Sequence, residues 1–139
     1  MDATREKFVR ESFARQGLMT TIGAEIKSIT AGQLDIHFAL KPTLTQQNGF
    51  LHAGAVTSVM DSACGYAAMT VAPENHDVLS VEFKVNLLAP AAGENFIVRS
   101  AVERAGKTLT IVTADAFVIK DNGEKPIATM LATMINRPL

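Results

Sequence analysis

The chain has 139 residues, 47% hydrophobic and 19% charged, and its 13 basic and 14 acidic residues give a net charge of −1. This length predicts one domain over 1–139 with enough residues for a core, and the apolar content excludes a disordered chain. Because nucleic-acid binders are usually basic, the balanced charge disfavours a nucleic-acid partner.

The sequence carries no targeting or metal-binding signature. The charged N-terminus lacks the apolar core of a signal peptide, and no uncharged apolar run reaches the roughly 18–20 residues of a membrane span. The single cysteine, Cys64, excludes an intrachain disulfide and fits a reducing compartment. Neither Cys-x-x-Cys nor His-Glu-x-x-His spacing occurs, so no metal or other cofactor is expected. We therefore expect a cytoplasmic protein without a membrane partner.

The first forty residues predict a helix followed by a hairpin. An N-terminal helix is expected within 1–17, over residues 4–16, with Thr4 as its cap and Gly17 ending it in a left-handed conformation. Residues 22–40 predict two antiparallel strands, because apolar and polar residues alternate along the second of them.

A central helix is predicted over residues 54–70. The loop before it, residues 41–51, is rich in turn formers. The helical stretch has no proline and no charge except Asp61, and small residues occur all round it. A helix of this kind can approach other backbone closely on several sides, so we expect it to be buried.

Four strand-like runs follow the helix, over residues 78–88, 94–104, 107–120 and 126–135. In the first run Ser80, Glu82 and Lys84 alternate with apolar residues and are expected to share one face. Asn122-Gly123 is a strong hairpin signal before the last run. The run over 107–120 is apolar on much of both faces and is expected to be central. Consecutive strands favour an antiparallel sheet and the α+β class.

A polar segment, Gln46–Gly54, leads directly into the central helix. The first turn of a helix has free backbone N–H groups and a partial positive charge. These suit the developing negative charge on a thioester or ester carbonyl oxygen. The alternative is that His52 and Gly54 only shape the turn between loop and helix.

Asp61 is the second candidate, because a lone carboxylate on a buried helix is costly unless it is paired or used in chemistry. The alternative is a structural carboxylate bonded to nearby hydroxyl or backbone groups. Ala53 and Asp61 are eight residues apart, which is about 12 Å along a helix at roughly 1.5 Å per residue. If both act on one substrate atom, two chains must contribute and the site lies at a dimer interface.

These residues resemble the hotdog-fold acyl-CoA thioesterases, in particular the phenylacetate-pathway branch. That family's central helix begins with His-Gly-Gly and has an acidic residue about two turns later. His52-Ala53-Gly54 and Asp61 match this pattern, with alanine where many relatives have glycine. Ser80–Pro90 matches a strand-plus-proline element, and Gly106–Thr108 matches a Gly-Lys-Thr turn. The resemblance covers roughly 20–135 and implies an antiparallel sheet wrapped around a long central helix.

The resemblance also implies roles for the matching residues. The backbone N–H of Ala53, in the turn formed with His52 and Gly54, polarises the thioester carbonyl, and the amide of Gln46 assists it. Asp61 of the partner subunit acts as general base on water or as nucleophile, and Ser80 helps to place that water. The implied substrate is a medium-chain or aryl acyl-CoA. The implied assembly is a homodimer, which in hotdog relatives often pairs into a tetramer.

The phosphates of CoA need cations, and candidates are Lys84, Arg99, Arg104 and Lys107, with Asn48 as a further substrate contact. Each cation is alternatively a solvated surface charge. Two other functions are open. A hydratase or dehydratase of the same fold usually pairs a histidine with a carboxylate, and no second histidine lies near Asp61 in the sequence. The second alternative function is that of a non-catalytic acyl-CoA-binding module.

Overall fold

A computed structural model describes all residues from Met1 to Leu139. Two short helices come first, α1 (Ala3–Ala14) and α2 (Gly17–Ile22), followed by a hairpin of β1 (Glu25–Thr30) and β2 (Gln33–Ala39). A 3-10 turn at Pro42–Leu44 precedes the central helix α3 (Ala53–Met69). The chain ends in four strands, which are β3 (His76–Leu87), β4 (Asn95–Ala105), β5 (Leu109–Lys120) and β6 (Gly123–Pro138).

The six strands form one antiparallel sheet in the order β1-β2-β4-β5-β6-β3. The predicted α+β class and the predicted sheet around a central helix are confirmed. β5 lies between β4 and β6, as its apolar pattern predicted, and a two-residue turn at Asp121-Asn122 joins it to β6. The strand β3 follows α3 in the chain, but it pairs with β6 at one end of the sheet.

The core lies between α3 and one face of the sheet. Alternate residues of β5, from Thr110 to Val118, are buried on this face, and the small residues Ala63, Ala67 and Ala68 of α3 are completely buried. The hydroxyl of Ser100 on β4 lies 2.9 Å from the backbone carbonyl oxygen of Ala63, which links sheet and helix. Small side chains on the buried side of α3 therefore let its backbone approach the sheet.

The N-terminal segment differs from the prediction of one capped helix. Asp2, not Thr4, caps α1, because its side chain accepts a hydrogen bond from the backbone N–H of Arg5 at 2.8 Å. Gly17 does not end the helix but begins α2, and the left-handed residue is Gly23, with φ 78°. The hairpin strands accordingly begin at Glu25, because residue 22 still belongs to α2.

A β-bulge in β3 overturns the predicted facing of its polar residues. Ser80 pairs with Met134 and Glu82 pairs with the next residue of β6, Thr133, so Val81 is an extra residue. Ser80 therefore faces α3, whereas Glu82 and Lys84 face away from it. The prediction that Ser80, Glu82 and Lys84 share one face is wrong, because the bulge reverses the alternation at Val81.

Candidate active site

The N-terminus of α3 presents one free hydrogen-bond donor. His52 is the N-cap residue, and its Nδ1 accepts from the backbone N–H of Gly54 at 2.7 Å. The N–H groups of Ala55 and Val56 donate to the backbone oxygen of His52 at 3.0 and 3.3 Å. The N–H of Ala53 has no partner within the chain. The predicted donor is therefore available at the positive end of the helix.

Ala53 lines a largely apolar cavity of about 480 Å³, which we call the helix-start cavity. The cavity is also lined by Gln46 and His52 and by apolar residues of the loop before α3, the end of β3 and the segment after it, among them Phe50, Leu87, Leu88 and Pro90. The side-chain oxygen of Gln46 accepts from the backbone N–H of Asn48. Its amide nitrogen is thus the end that remains free to donate into the cavity.

Asp61 lies two turns further along α3 and is half-buried. The hydroxyl of Ser80 donates to Asp61 Oδ1 at 2.6 Å and lies 3.4 Å from the thioether sulfur of Met134. This bond is also expected if Asp61 is only a structural carboxylate that is bonded to a nearby hydroxyl group. However, Asp61 Oδ2 has no hydrogen bond within the chain and is not buried, so one carboxylate oxygen is free to act as a base.

A second cavity of about 260 Å³, which we call the aspartate cavity, contains Asp61 and Ser80. The N-terminal helices supply part of its wall, because Ser62 Oγ donates to Gln16 Oε1 at 2.9 Å. In the same wall the hydroxyls of Ser12 and Tyr66 lie 3.3 Å apart, and burial raises the pKa of the Tyr66 phenol. The sequence had not indicated these four residues, because Gln16 and Ser12 are distant in the chain from their partners on α3.

The two halves of the predicted site are separate within one chain. Ala53 lines the helix-start cavity, whereas Asp61 lines the aspartate cavity. The structure thus brings Gln46, His52 and Ala53 together at one place and Asp61 with Ser80 at another. This separation agrees with the distance expected from the helical spacing.

Cys64 has no role that its surroundings support. Its side chain is fully buried, as expected of a packed core residue. Burial, and secondarily the charge of Asp61, raises the pKa of the Cys64 thiol from 9.0 to about 12. The reactive thiolate is therefore absent at neutral pH.

The candidate cations differ in whether other side chains of the chain already bind them through hydrogen bonds or ion pairs. Arg99 binds Glu124 with two hydrogen bonds, of 2.5 and 2.8 Å, so it is an ion-pair residue and not a free cation. Lys84 Nζ donates to Asn86 at 3.0 Å. Arg104 and Lys107 have no ion-pair partner.

The antiparallel sheet around the central helix α3 defines a hotdog fold. A family model described as the thioesterase superfamily matches residues 48–125, which include α3, β3, β4 and β5. The chain belongs to the thioesterase superfamily, and membership supports hydrolysis of thioesters in general. None of its helices combines the length and apolar character needed to cross a bilayer.

Solved structures and curated relatives agree with this family. A thioesterase family protein from Silicibacter pomeroyi is 48% identical, with a TM-score of 0.94 over 97% of this chain and 99% of that chain. A Saccharolobus solfataricus protein whose name suggests an esterase is 30% identical over 91% of this chain and 82% of its own length. The PaaI protein of the E. coli phenylacetic acid degradation operon is 15% identical, with a TM-score of 0.84 over 96% of this chain and 93% of that chain, and shows the same fold.

Proposed function

We propose that this protein is a cytoplasmic acyl-CoA thioesterase, which hydrolyses a medium-chain or aryl acyl-CoA to the free acid and CoA. The observation that carries the proposal is the unpartnered N–H of Ala53 at the N-terminus of α3. A donor fixed there is aimed at an oxygen that gains negative charge in the transition state. The free amide nitrogen of Gln46, in the same cavity, is a second donor for this oxygen.

Asp61 supplies the base in the proposed reaction. Its Oδ2 takes a proton from water while the water oxygen bonds to the thioester carbon, and Ser80 holds Oδ1 in place. The tetrahedral oxyanion collapses, the carbon–sulfur bond breaks, and the leaving thiolate takes the proton from Asp61. In the alternative route Asp61 attacks the carbon directly, and the carbon–sulfur bond breaks to expel the CoA thiolate. Water then hydrolyses the resulting anhydride to the free acid and the Asp61 carboxylate, and a proton from this water goes to the thiolate.

Two chains share each active site in this proposal. Ala53 and Asp61 line different cavities of one chain, so the carbonyl bound at Ala53 meets the carboxylate of a second copy. The smallest active unit is a homodimer with two equivalent sites. We propose further that two dimers associate into a tetramer, as the resemblance implies.

The CoA phosphates are assigned to cations without acidic partners. Arg104 and Lys107 flank the turn between β4 and β5, and Asn136 Nδ2 donates to the backbone oxygens of Gly106 and Lys107 at 3.0 Å each. These two bonds fix the turn that presents Lys107. Lys84 and Asn48 are further proposed contacts for the substrate.

The test is release of free thiol from a panel of acyl-CoAs that differ in chain length and aromatic content. We expect turnover with at least one substrate, and Asp61→Asn is expected to lower kcat by at least about 100-fold, a typical contribution of a general base. Binding without turnover refutes the proposal and favours a binding module. Addition of water to an enoyl-CoA, without thiol release, favours a hydratase.

A complementation experiment tests the shared site. One chain carries Asp61→Asn, and the other carries Ala53→Pro with Gln46→Ala. Ala53 is the first residue of α3, where proline is favourable, so the substitution removes the N–H and keeps the helix start. Each homodimer should be nearly inactive, whereas a mixed dimer has one intact site and should recover about half of the wild-type activity. Mixed dimers seen by native mass spectrometry without activity contradict a shared site.

A further inference from the structure

The corner between α1 and α2 is fixed against α3 beside Asp61. Phe13, near the end of α1, packs edge-to-face on Tyr66 of α3, with ring centroids 5.4 Å apart. Gln16 is the N-cap residue of α2, and its extended backbone separates the two short helices. Its Oε1 accepts from the hydroxyl of Ser62 at 2.9 Å, and Ser62 is the next residue after Asp61. The corner therefore brings the amide of Gln16 next to the candidate base.

Gln16 borders two cavities, and both of them contain Asp61. One is the aspartate cavity described above. The other has a volume of about 320 Å³ and is called here the corner cavity; its lining residues are Gln16, Gly17, Leu18, Ser58, Asp61 and Ser62. Gln16, Asp61 and Ser62 line both cavities. The free ends of the Gln16 and Asp61 side chains are therefore open to the same space.

The hydrogen bonds around the corner cavity leave one side-chain donor unused. The hydroxyl of Ser58 donates to the backbone of the preceding helical turn at 2.7 Å, and that of Ser62 donates to Gln16. The hydroxyl of Ser80 is already bonded to Asp61 Oδ1. Gln16 Nε2 and Asp61 Oδ2 have no partner within the chain. An amide nitrogen only donates and a carboxylate oxygen only accepts, so the two free groups are complementary ends for one bridging water.

We propose that Gln16 holds the water that Asp61 activates. The inference rests on the proposed function, in which Asp61 is the base. The water accepts a hydrogen bond from Gln16 Nε2 and donates one O–H to Asp61 Oδ2, which leaves its second lone pair for the thioester carbon. In the reaction this O–H bond breaks, its proton moves to Oδ2 and the oxygen–carbon bond forms. The Gln16 amide keeps both of its protons throughout.

Ser62 is a positioning residue in this arrangement. Its hydroxyl binds the oxygen end of the Gln16 amide, and the planar amide group then has a fixed direction for its nitrogen end. Ser62 itself is buried, so it does not meet the substrate. A donor that is held in place before the water binds loses little conformational freedom when the water arrives.

Two variants separate the donor from the bond that fixes it. Gln16→Glu keeps the shape and still accepts from Ser62, but a carboxylate does not donate. Ser62→Ala removes the fixing bond and keeps the donor. We expect kcat for thiol release at neutral pH to fall at least about tenfold in Gln16→Glu and by no more than about threefold in Ser62→Ala, with KM nearly unchanged in both. A purely structural Gln16 predicts the opposite order, and that order overturns the inference.

The control for added charge is Leu18→Glu. Leu18 lines the corner cavity and is 55% exposed, so this variant brings a carboxylate to the same cavity without changing the Gln16 amide. Its kcat should stay within about twofold of wild type. A rate as low as that of Gln16→Glu overturns the inference, because charge alone then explains the loss.

Coupling to Asp61 gives a readout that a structural role does not move. Gln16→Ala should lower kcat about tenfold in the wild-type background but less than twofold in the Asp61→Asn background, because no base activates the water there. Equal losses in the two backgrounds overturn the inference. A wild-type protein that turns over no acyl-CoA refutes the proposed function, and this inference with it. Wild-type turnover together with an equally fast Gln16→Glu refutes this inference alone.

A crystal structure of the wild-type protein tests the same arrangement without an activity measurement. It should show one water within about 3.2 Å of both Gln16 Nε2 and Asp61 Oδ2. The structure of Gln16→Glu should keep the bond to Ser62 and lose this water. A direct bond between Gln16 and Asp61, or no water shared by the two atoms, overturns the inference.

Discussion

The hydrogen bond from Ser80 to Asp61 gives a quantitative prediction for Ser80→Ala. The oxygen–oxygen distance of 2.6 Å is in the range of charge-assisted bonds to a carboxylate. Such bonds contribute about 1.5–3 kcal/mol, and a factor of ten in rate corresponds to about 1.4 kcal/mol. Because Ser80 is exposed in the single chain, water replaces part of the lost bond, and the lower end applies. We expect kcat to fall about tenfold.

The assay is thiol release at saturating and limiting acyl-CoA, so that kcat and KM are separated. KM should change little, because Ser80 acts through Asp61 and not on the bound substrate. Ser80→Thr keeps the hydroxyl and should recover most of the rate. Ser58→Ala is the matched control, because Ser58 also lies beside Asp61 but donates its hydroxyl to the Gly54 carbonyl at 2.7 Å. The reasoning is refuted if folded Ser80→Ala turns over within twofold of wild type, or if Ser80→Thr is equally slow.

Two further predictions concern α3. A Cβ on Gly54 lies 3.0 Å from His52 Nδ1, whereas one on Gly65 meets nothing within 4 Å. Gly65→Ala should therefore raise the free energy of unfolding by up to about 1 kcal/mol through helix propensity, and with it Tm. Gly54→Ala should lack this gain and lose activity, and equal Tm values for the two variants would contradict the packing argument. Because its pKa is near 12, native Cys64 should resist thiol reagents at pH 8 until the protein unfolds. The protonated thiol stabilises the fold below pH 9, so this contribution should decline as pH rises from 9 towards 12, and Cys64→Ser should retain most turnover. Rapid labelling of the native protein, or an inactive folded Cys64→Ser, would contradict this account.

The elements specified by local pattern could be predicted from the sequence. The helix predicted over 54–70 is Ala53–Met69, because uninterrupted small and apolar residues exclude both loop and strand. The hairpin of β1 and β2 and the turn after β5 follow from alternation and from turn residues. The eight-residue separation of Ala53 and Asp61 is a property of helix geometry, so the separate half-sites could also be foreseen.

Features that depend on distant partners could not be predicted. The alternation of Ser80, Glu82 and Lys84 is unbroken in the sequence, and the bulge appears only when β3 pairs with β6, about fifty residues later. Gln16 is likewise indistinguishable from a surface residue until α2 brings it to Ser62. The N-terminal cap was misplaced because Asp2 and Thr4 are both good capping residues, and local sequence alone does not decide between them.

The late pairing of β3 has a consequence for how the protein is made. The strands β4, β5 and β6 form a meander of neighbouring hairpins that can fold as each strand leaves the ribosome. The strand β3 comes before them in the sequence, but it cannot pair until β6 has been made. Until then both edges of β3 are unpaired, and an apolar strand of this kind is an aggregation hazard. A shortened product that lacks β6 is therefore expected to be cleared or to aggregate, and β3 becomes ordered only after β6 has been made.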